Sequence, residues 1–237
     1  MLAPFQTKLS SQYSVLSHPS CGIVIPTLNE ENSLTDCLQQ AFRAGWTPRE
    51  IVVADGGSHD RTVEIAQQLQ VEIFRAPPGR AQQMNAGAAA LGSEILLFLH
   101  ADTKLQPGSR DAIEAAVKQG AAGGCFLRYF RPETPKLHVL SWFAAWRAWG
   151  LGIAYGDQAL WIRRDVFETL GRFPEIGVFE DVELALQIME HGPFEVLRPA
   201  IMTDARRFVG KPDQLMKDAG VTWRYYLQRL RGSSTVE

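Results

Sequence analysis

Three short apolar runs in the first hundred or so residues end in the same way: CGIVIPTLNEE (21–31), EIVVADGGSHD (50–60) and LFLHADT (97–103). Ile23 to Ile25, Ile51 to Val53 and Leu96 to Leu99 have the unbroken apolarity of strands buried on both faces. Each run stops at polar residues suited to turning the chain into a helix. Pro26 ends the first, and Asn29, Glu30 and Glu31 open a helix behind it. Asp55 closes the second, Gly56 and Gly57 allow a tight turn, and Ser58 or Asp60 caps a helix beginning near Arg61. His100 and Asp102 lie just past the third, with Thr103 beside them. Singly, each is an ordinary βα turn with a good N-cap. Together they put three carboxylates outside the carboxyl ends of neighbouring strands, where open α/β sheets bind their ligands.

The periodicity predicts strands near 22–26, 50–54, 71–75 and 94–99, alternating with helices near 31–43, 60–69, 80–91 and 107–119. Alternating βα units imply an α/β fold with a parallel sheet and right-handed crossovers. The second half is less regular. A strand near 122–130, an aromatic helix near 136–149, a strand at 158–163 and a short helix at 165–170 lead to the loop GRFPEIGVF. A helix starting at Glu180 or Asp181, the strand 195–199 and a basic helix over 212–231 follow.

With 237 residues, 46% of them apolar, the chain can bury one large core, and no repeat divides it. The expected organisation is a flexible arm over 1–20 and one domain over 21–237. The regular βα units fill its front half, 21–120, and the less regular elements its back half, 121–237. A net charge of −2 provides no field for nucleic acid. Cys21, Cys37 and Cys125 are widely spaced in apolar contexts and read as reduced core residues. Residues 1–20 lack the apolar segment of a signal peptide and no stretch is long and apolar enough to span a bilayer, so the expectation is cytoplasmic residence, with peripheral contact at the inner membrane face left open.

PTLNEE, ADGGSHDRT, GRAQQMNAGA, LFLHADT and FEDVEL, in this order, resemble the inverting family 2 glycosyltransferases over roughly residues 20–210. The resemblance implies the GT-A fold, a Rossmann-like three-layer α/β/α sandwich with a mostly parallel central sheet. YGDQALWIRRDVFETLGRFPE (155–175) and DARRF (204–208) are similar to small single-domain members associated with arsenosugar biosynthesis. Carotenoid-acid glucosyltransferases of the diaponeurosporenoate type share the same motifs.

Such an enzyme grips a nucleotide-sugar, neutralises the leaving diphosphate and provides a base for the acceptor. The resemblance implies that Asp55 accepts a hydrogen bond from a uracil ring and that Thr27 and Glu30 face the nucleoside. Arg80 meets base or phosphate, and Asn85 serves the same crevice or a neighbouring strand end. The family's Asp-any-Asp reads His100-Ala101-Asp102 here. Asp102 keeps the metal-binding position for Mn²⁺ or Mg²⁺, and His100 replaces the residue that faces the ribose. An imidazole there either donates to a hydroxyl or ligates the metal as well. Asp181 is the expected acceptor-side base, with Glu180 positioning the site. Asp157 and Gln158 border the donor sugar, and Arg206 and Arg207 meet the diphosphate.

Trp142, Phe143, Trp146 and Trp149 share one face of the aromatic helix. Such a stripe ordinarily packs into the core; the sharper alternatives are a wall for the acceptor or an interfacial helix for a lipid acceptor. Two rival functions remain. A sugar-phosphate nucleotidyltransferase wants a Gly-rich loop with Arg and Lys near residue 30, which PTLNEE lacks. A non-catalytic nucleotide-sugar-binding protein is suggested only by His100.

Overall fold

The structure is a computed structural model describing residues 19–131, 134–151, 153–204, 220–221 and 223–229. Most of the expected N-terminal arm therefore lies outside the described residues. Strands β1 (Cys21–Thr27), β2 (Ile51–Asp55), β3 (Glu72–Arg75), β4 (Ile95–Phe98), β5 (Thr103–Lys104), β6 (Gly123–Arg131), β7 (Leu160–Arg163) and β8 (Phe194–Asp204) form one sheet in the order β3-β2-β1-β4-β7-β6-β8-β5. Helices α1 (Leu34–Arg43), α2 (Thr62–Gln68), α3 (Arg80–Ala90), α4 (Ser109–Lys118), α5 (Pro135–Leu151), α6 (Arg164–Thr169) and α7 (Glu180–His191) cover it.

The strand alternation divides the core into two layers. Cys21, Ile23, Ile25, Ile51, Val53, Ile95 and Leu97 point to one side, against Leu34, Leu38 and Ala41 of α1 and Ile113 of α4. Val24, Val52, Ala54, Leu96 and Phe98 point to the other, against Met84 and Ala88 of α3, Phe167 of α6 and Ile188 of α7. With both faces covered, every residue of β2 and β4 is buried, which explains why their sequences are continuously apolar. The three cysteines are free thiols in this interior, and burial pushes Cys21 and Cys125 up to about 12.

The first four strands in the sheet order pair in parallel, as the βα alternation requires. The second half departs from that rule. β7 is antiparallel to both β4 and β6, and β5 is antiparallel to β8, so the sheet is mixed. β6 and β7 approach closely at Gly123, where a Cβ would lie 2.7 Å from the Trp161 carbonyl oxygen. No larger residue fits that crossing of β6 and β7. The strand expected over 195–199 extends across Phe194–Asp204 and pairs in parallel with β6 over most of its length.

Candidate active site

The ends of β1 and β2 are laced together by their own polar residues. Asn29 N–H donates to Ser58 Oγ at 2.9 Å, His59 N–H donates to Asn29 Oδ1 at 2.9 Å, and Glu30 N–H donates to Thr62 Oγ1 at 2.8 Å. Asn29 takes a left-handed backbone, φ 57°, to make this turn. Asp55 is buried at the centre. Its Oδ2 accepts from the Gly57 and Ser58 N–H groups, each at 3.0 Å, and its Oδ1 accepts from the hydroxyls of Ser58 at 2.5 Å and Thr27 at 3.3 Å. Asp55 and Thr27 thus shape the floor of the crevice, and Glu30 stands half-buried at its rim.

Gln83, which no sequence motif singles out, ties the same floor from behind. Its Nε2 donates to the carbonyls of Thr27 and Ala54, both at 2.8 Å. The available signal was one polar residue on the face of α3 that otherwise carries Ala81, Met84 and Ala88. Two of the expected site residues bond to the protein itself here. Asn85 clamps the loop before α7: its Nδ2 donates to the Phe173 carbonyl at 2.9 Å and its Oδ1 accepts from the Phe173 N–H at 3.0 Å. Gln158 is fully enclosed, its Oε1 accepting from Arg147 at 3.2 Å and its Nε2 directed at the Phe126 carbonyl at 3.4 Å. Both amides hold the protein's own backbone or side chains.

Across the crevice, His100 and Asp181, from distant parts of the chain, meet at Gly156. A Cβ there would collide with the His100 imidazole, standing 2.8 Å from Cε1, and would lie 3.3 Å from Asp181 Oδ2. The Gly156 N–H donates to that same oxygen at 2.6 Å, while Asp181 Oδ1 accepts from the Val182 N–H at 2.8 Å. Asp181 is thereby fixed in orientation at the N-terminus of α7, where the helix dipole also favours a carboxylate. The turn that aims it is strained: Phe179 has φ 70° directly before α7, and Ala159 has φ 50° after the 156–158 turn.

Glu180 sits beside Asp181 under different conditions. It is 2% exposed, and among the described residues neither carboxylate oxygen receives a hydrogen bond. Arg80 Nε, reaching from the start of α3, lies 2.9 Å from Oε1 as an ion pair without hydrogen-bond alignment. Burial, and then the neighbouring Asp181 charge, raise the Glu180 carboxyl above the usual range. Arg80 and Glu180 also line an open cleft of ≈ 230 Å³ with Pro78–Gln82 and Glu175–Gly177. Asp157 is bound in an ion pair by the buried Arg128, whose guanidinium stacks 4.4 Å from the Phe130 ring centre.

Asp102 is half-buried past the end of β4, and the Thr103 hydroxyl lies 3.4 Å from its Oδ1. Among the described residues no three His, Cys, Asp or Glu side chains converge as a metal cage. Asp102 is a hard oxygen donor on an open crevice. It fits a divalent cation whose remaining ligands are phosphate oxygens and water, as Mg²⁺ commonly takes them. Arg206 and Arg207 lie outside the described residues.

The glycosyl transferase family 2 profile matches residues 22–171, more than half of the chain, and the chain belongs to that family of glycosyltransferases. It is 31% identical over 114 residues to the 4,4'-diaponeurosporenoate glycosyltransferase of Staphylococcus haemolyticus, covering 43% of this chain and 28% of that one. Among solved structures it resembles S. aureus TarS 1-349 in complex with UDP-GlcNAc, with a TM-score of 0.63 at 16% identity, covering 79% of this chain and 59% of that one. It also resembles the mannosyltransferase PcManGT from Pyrobaculum calidifontis in complex with GDP-Man and Mn²⁺, with a TM-score of 0.60 at 20% identity, covering 80% and 57%. The chain thus spans less than two thirds of each, and the two structural likenesses establish the GT-A-type α/β fold.

Proposed function

We propose that this chain moves a sugar from a nucleotide-sugar donor, UDP-linked, to the hydroxyl of a small-molecule or lipid acceptor by a single inverting displacement. The observation that carries this reading is the convergence of Asp181, Glu180, His100 and Arg80 on the crevice beside the β1 and β2 turns. The 27–31 and 55–60 turns form the nucleoside side. Arg80 is half-exposed at the mouth and suited to phosphate. Arg206 and Arg207 would meet the same diphosphate.

Asp181 takes the proton of the acceptor hydroxyl as its oxygen attacks the anomeric carbon, and nucleoside diphosphate departs from the opposite face. The two backbone N–H groups on Asp181 hold its remaining lone pairs toward the acceptor and save reorganisation during the step. Glu180 keeps Arg80 at the mouth of the cleft. His100, packed on Gly156, donates to a donor hydroxyl. A divalent cation held by Asp102 would neutralise charge on the diphosphate. Likeness of the 155–175 and 204–208 segments to arsenosugar-associated members, and of the whole motif set to carotenoid-acid enzymes, supports a small or lipidic acceptor.

The test is incubation with a panel of nucleotide-sugars and Mn²⁺, reading nucleotide release and the anomeric configuration of the product by NMR. Released UDP with an inverted product supports the reading, including slow transfer to water. Retention of configuration, or tight nucleotide-sugar binding without turnover on any acceptor or on water, would overturn it.

A further inference from the structure

Helix α5 is apolar on both of its sides, which differ mainly in side-chain size. Leu137, Ala144 and Ala148 face inward and are buried. Arg147 folds beneath them, donating from Nε to the Ile153 carbonyl at 2.9 Å with its guanidinium 3.9 Å from the Tyr155 ring centre. The opposite side holds Val139, Trp142, Phe143, Trp146 and Trp149, which are 66%, 70%, 42%, 51% and 77% exposed. The aromatic stripe therefore does not enter the core, contrary to the ordinary fate of such a pattern. Scattered exposed apolar residues are normal in proteins, but five on one helix face form a contact surface.

In sequence, Arg131 and Lys136 stand against Glu133 at the start of this helix. The α5 sequence contains no Asp or Glu, and the exposed Arg131 and His138 flank its first turns. The helical residues 223–229 pack through Tyr225 and Tyr226 on the same Ile153–Val182–Leu186 cluster that receives Leu151 at the end of α5. That segment adds the exposed Trp223 and Arg224.

We infer that the Val139–Trp149 face of α5 docks on the headgroup–acyl boundary of an anionic phospholipid bilayer, with the helix lying in the plane of the surface. Tryptophan is enriched at that boundary because its ring is apolar and its N–H remains hydrated. A second copy fits the face poorly, because a two-fold contact would bring two like-charged rims together. An anionic bilayer brings opposite charge to the same rim. A helix of 17 residues is about 25 Å long, short of the ~30 Å hydrocarbon core. No helix among the described residues is long and apolar enough to cross a membrane. The contact is therefore one that lies on the bilayer.

Docking there has a geometric consequence. The chain leaving α5 leads to Gly156, whose N–H holds Asp181, so the acceptor side of the crevice sits close to the docked helix in sequence and structure. The inference itself rests on the surface, not on the proposed reaction, and its test reads binding alone.

The experiment is co-sedimentation of the full chain with phosphatidylglycerol–phosphatidylcholine vesicles, alongside phosphatidylcholine alone, with tryptophan emission recorded on the bound fraction. The wild type should bind the anionic vesicles, shift its emission to the blue, and bind less as salt rises. The triple variant W142S/W146S/W149S should lose at least about tenfold in vesicle affinity with an unchanged melting temperature, since these side chains support no core. Absence of vesicle binding by the wild type, or equal binding by the triple variant, overturns the inference. Sedimentation velocity adds a further decisive outcome: a wild-type dimer that becomes a monomer in the triple variant makes this face a subunit interface instead.

Discussion

At the N-terminus of α7 two neighbouring carboxylates experience opposite environments. Asp181 receives two backbone N–H donors, whereas Glu180 receives none and is shielded by Arg80. The burial-driven rise at Glu180 has a definite sign for stability. A carboxyl raised in the folded state binds its proton more tightly there than in the unfolded chain. Its contribution is fully present below the ordinary glutamate range and is lost as pH rises through the higher folded value. Glu180→Gln removes that charge, so at pH 7 the variant should be as stable as the wild type or up to about 1 kcal/mol more stable. Its melting temperature should also fall less than that of the wild type between pH 4.5 and neutrality. Parallel melting curves across that range would show that Glu180 carries no burial penalty. Asp181→Asn should behave differently: donor affinity by calorimetry nearly unchanged, and turnover reduced at least about a hundredfold. Loss of donor affinity in that variant would move Asp181 to the nucleotide side.

The loop element between α5 and β7 is where small size matters most. Gly156→Ala puts a methyl group against the His100 imidazole. Because His100 is only half-buried, the ring can swing aside; the fold should survive with a loss of less than about 2 kcal/mol, while turnover drops at least about tenfold. Adding His100→Ala relieves the clash and should restore the melting temperature. Failure of the double variant to recover stability would mean the collision lies elsewhere. The first half of the chain was readable for the same reason that its turns work. Strands covered on both faces are continuously apolar, and their turn residues announce the helices behind them. The helix expected from residue 31 begins at Leu34 because Asn29, Glu30 and Glu31 are held in the cross-laced turn. The antiparallel insertion of β7 was not readable, since a short apolar strand has the same pattern in either direction. Asn85, Gln158 and Gln83 show the same limit for the site: an amide side chain in the sequence does not reveal whether its partner is backbone or ligand.

At the scale of the whole molecule, α7 is braced by residues beyond the 22–171 segment that matches the family. Arg229 spans two carboxylates of α7, donating from Nε to Glu183 at 2.9 Å and from Nη1 and Nη2 to Glu190 at 2.6 and 3.0 Å. Tyr225 adds a hydroxyl donor to Glu183 at 2.7 Å. Glu183 is mostly buried and Glu190 mostly exposed, so the inner pair carries most of the energy and the outer one is screened by solvent. The Arg229 hydrogen bonds hold Glu190 below the usual carboxylate range, a contribution present at neutral pH and lost on acidification. Arg229→Met keeps much of the side-chain bulk but leaves Glu183 with fewer donors, and should cost roughly 1–2 kcal/mol in urea unfolding. The loss should be smaller at low pH, where protonated carboxyls no longer need the guanidinium. Because α7 begins with Glu180 and Asp181, hydrogen exchange should quicken along its amides, and turnover should fall more than donor affinity. Unchanged exchange in α7, with stability lost elsewhere, would show that the C-terminal segment is a passive cover and that Asp181 is positioned by the Gly156 and Val182 N–H groups alone.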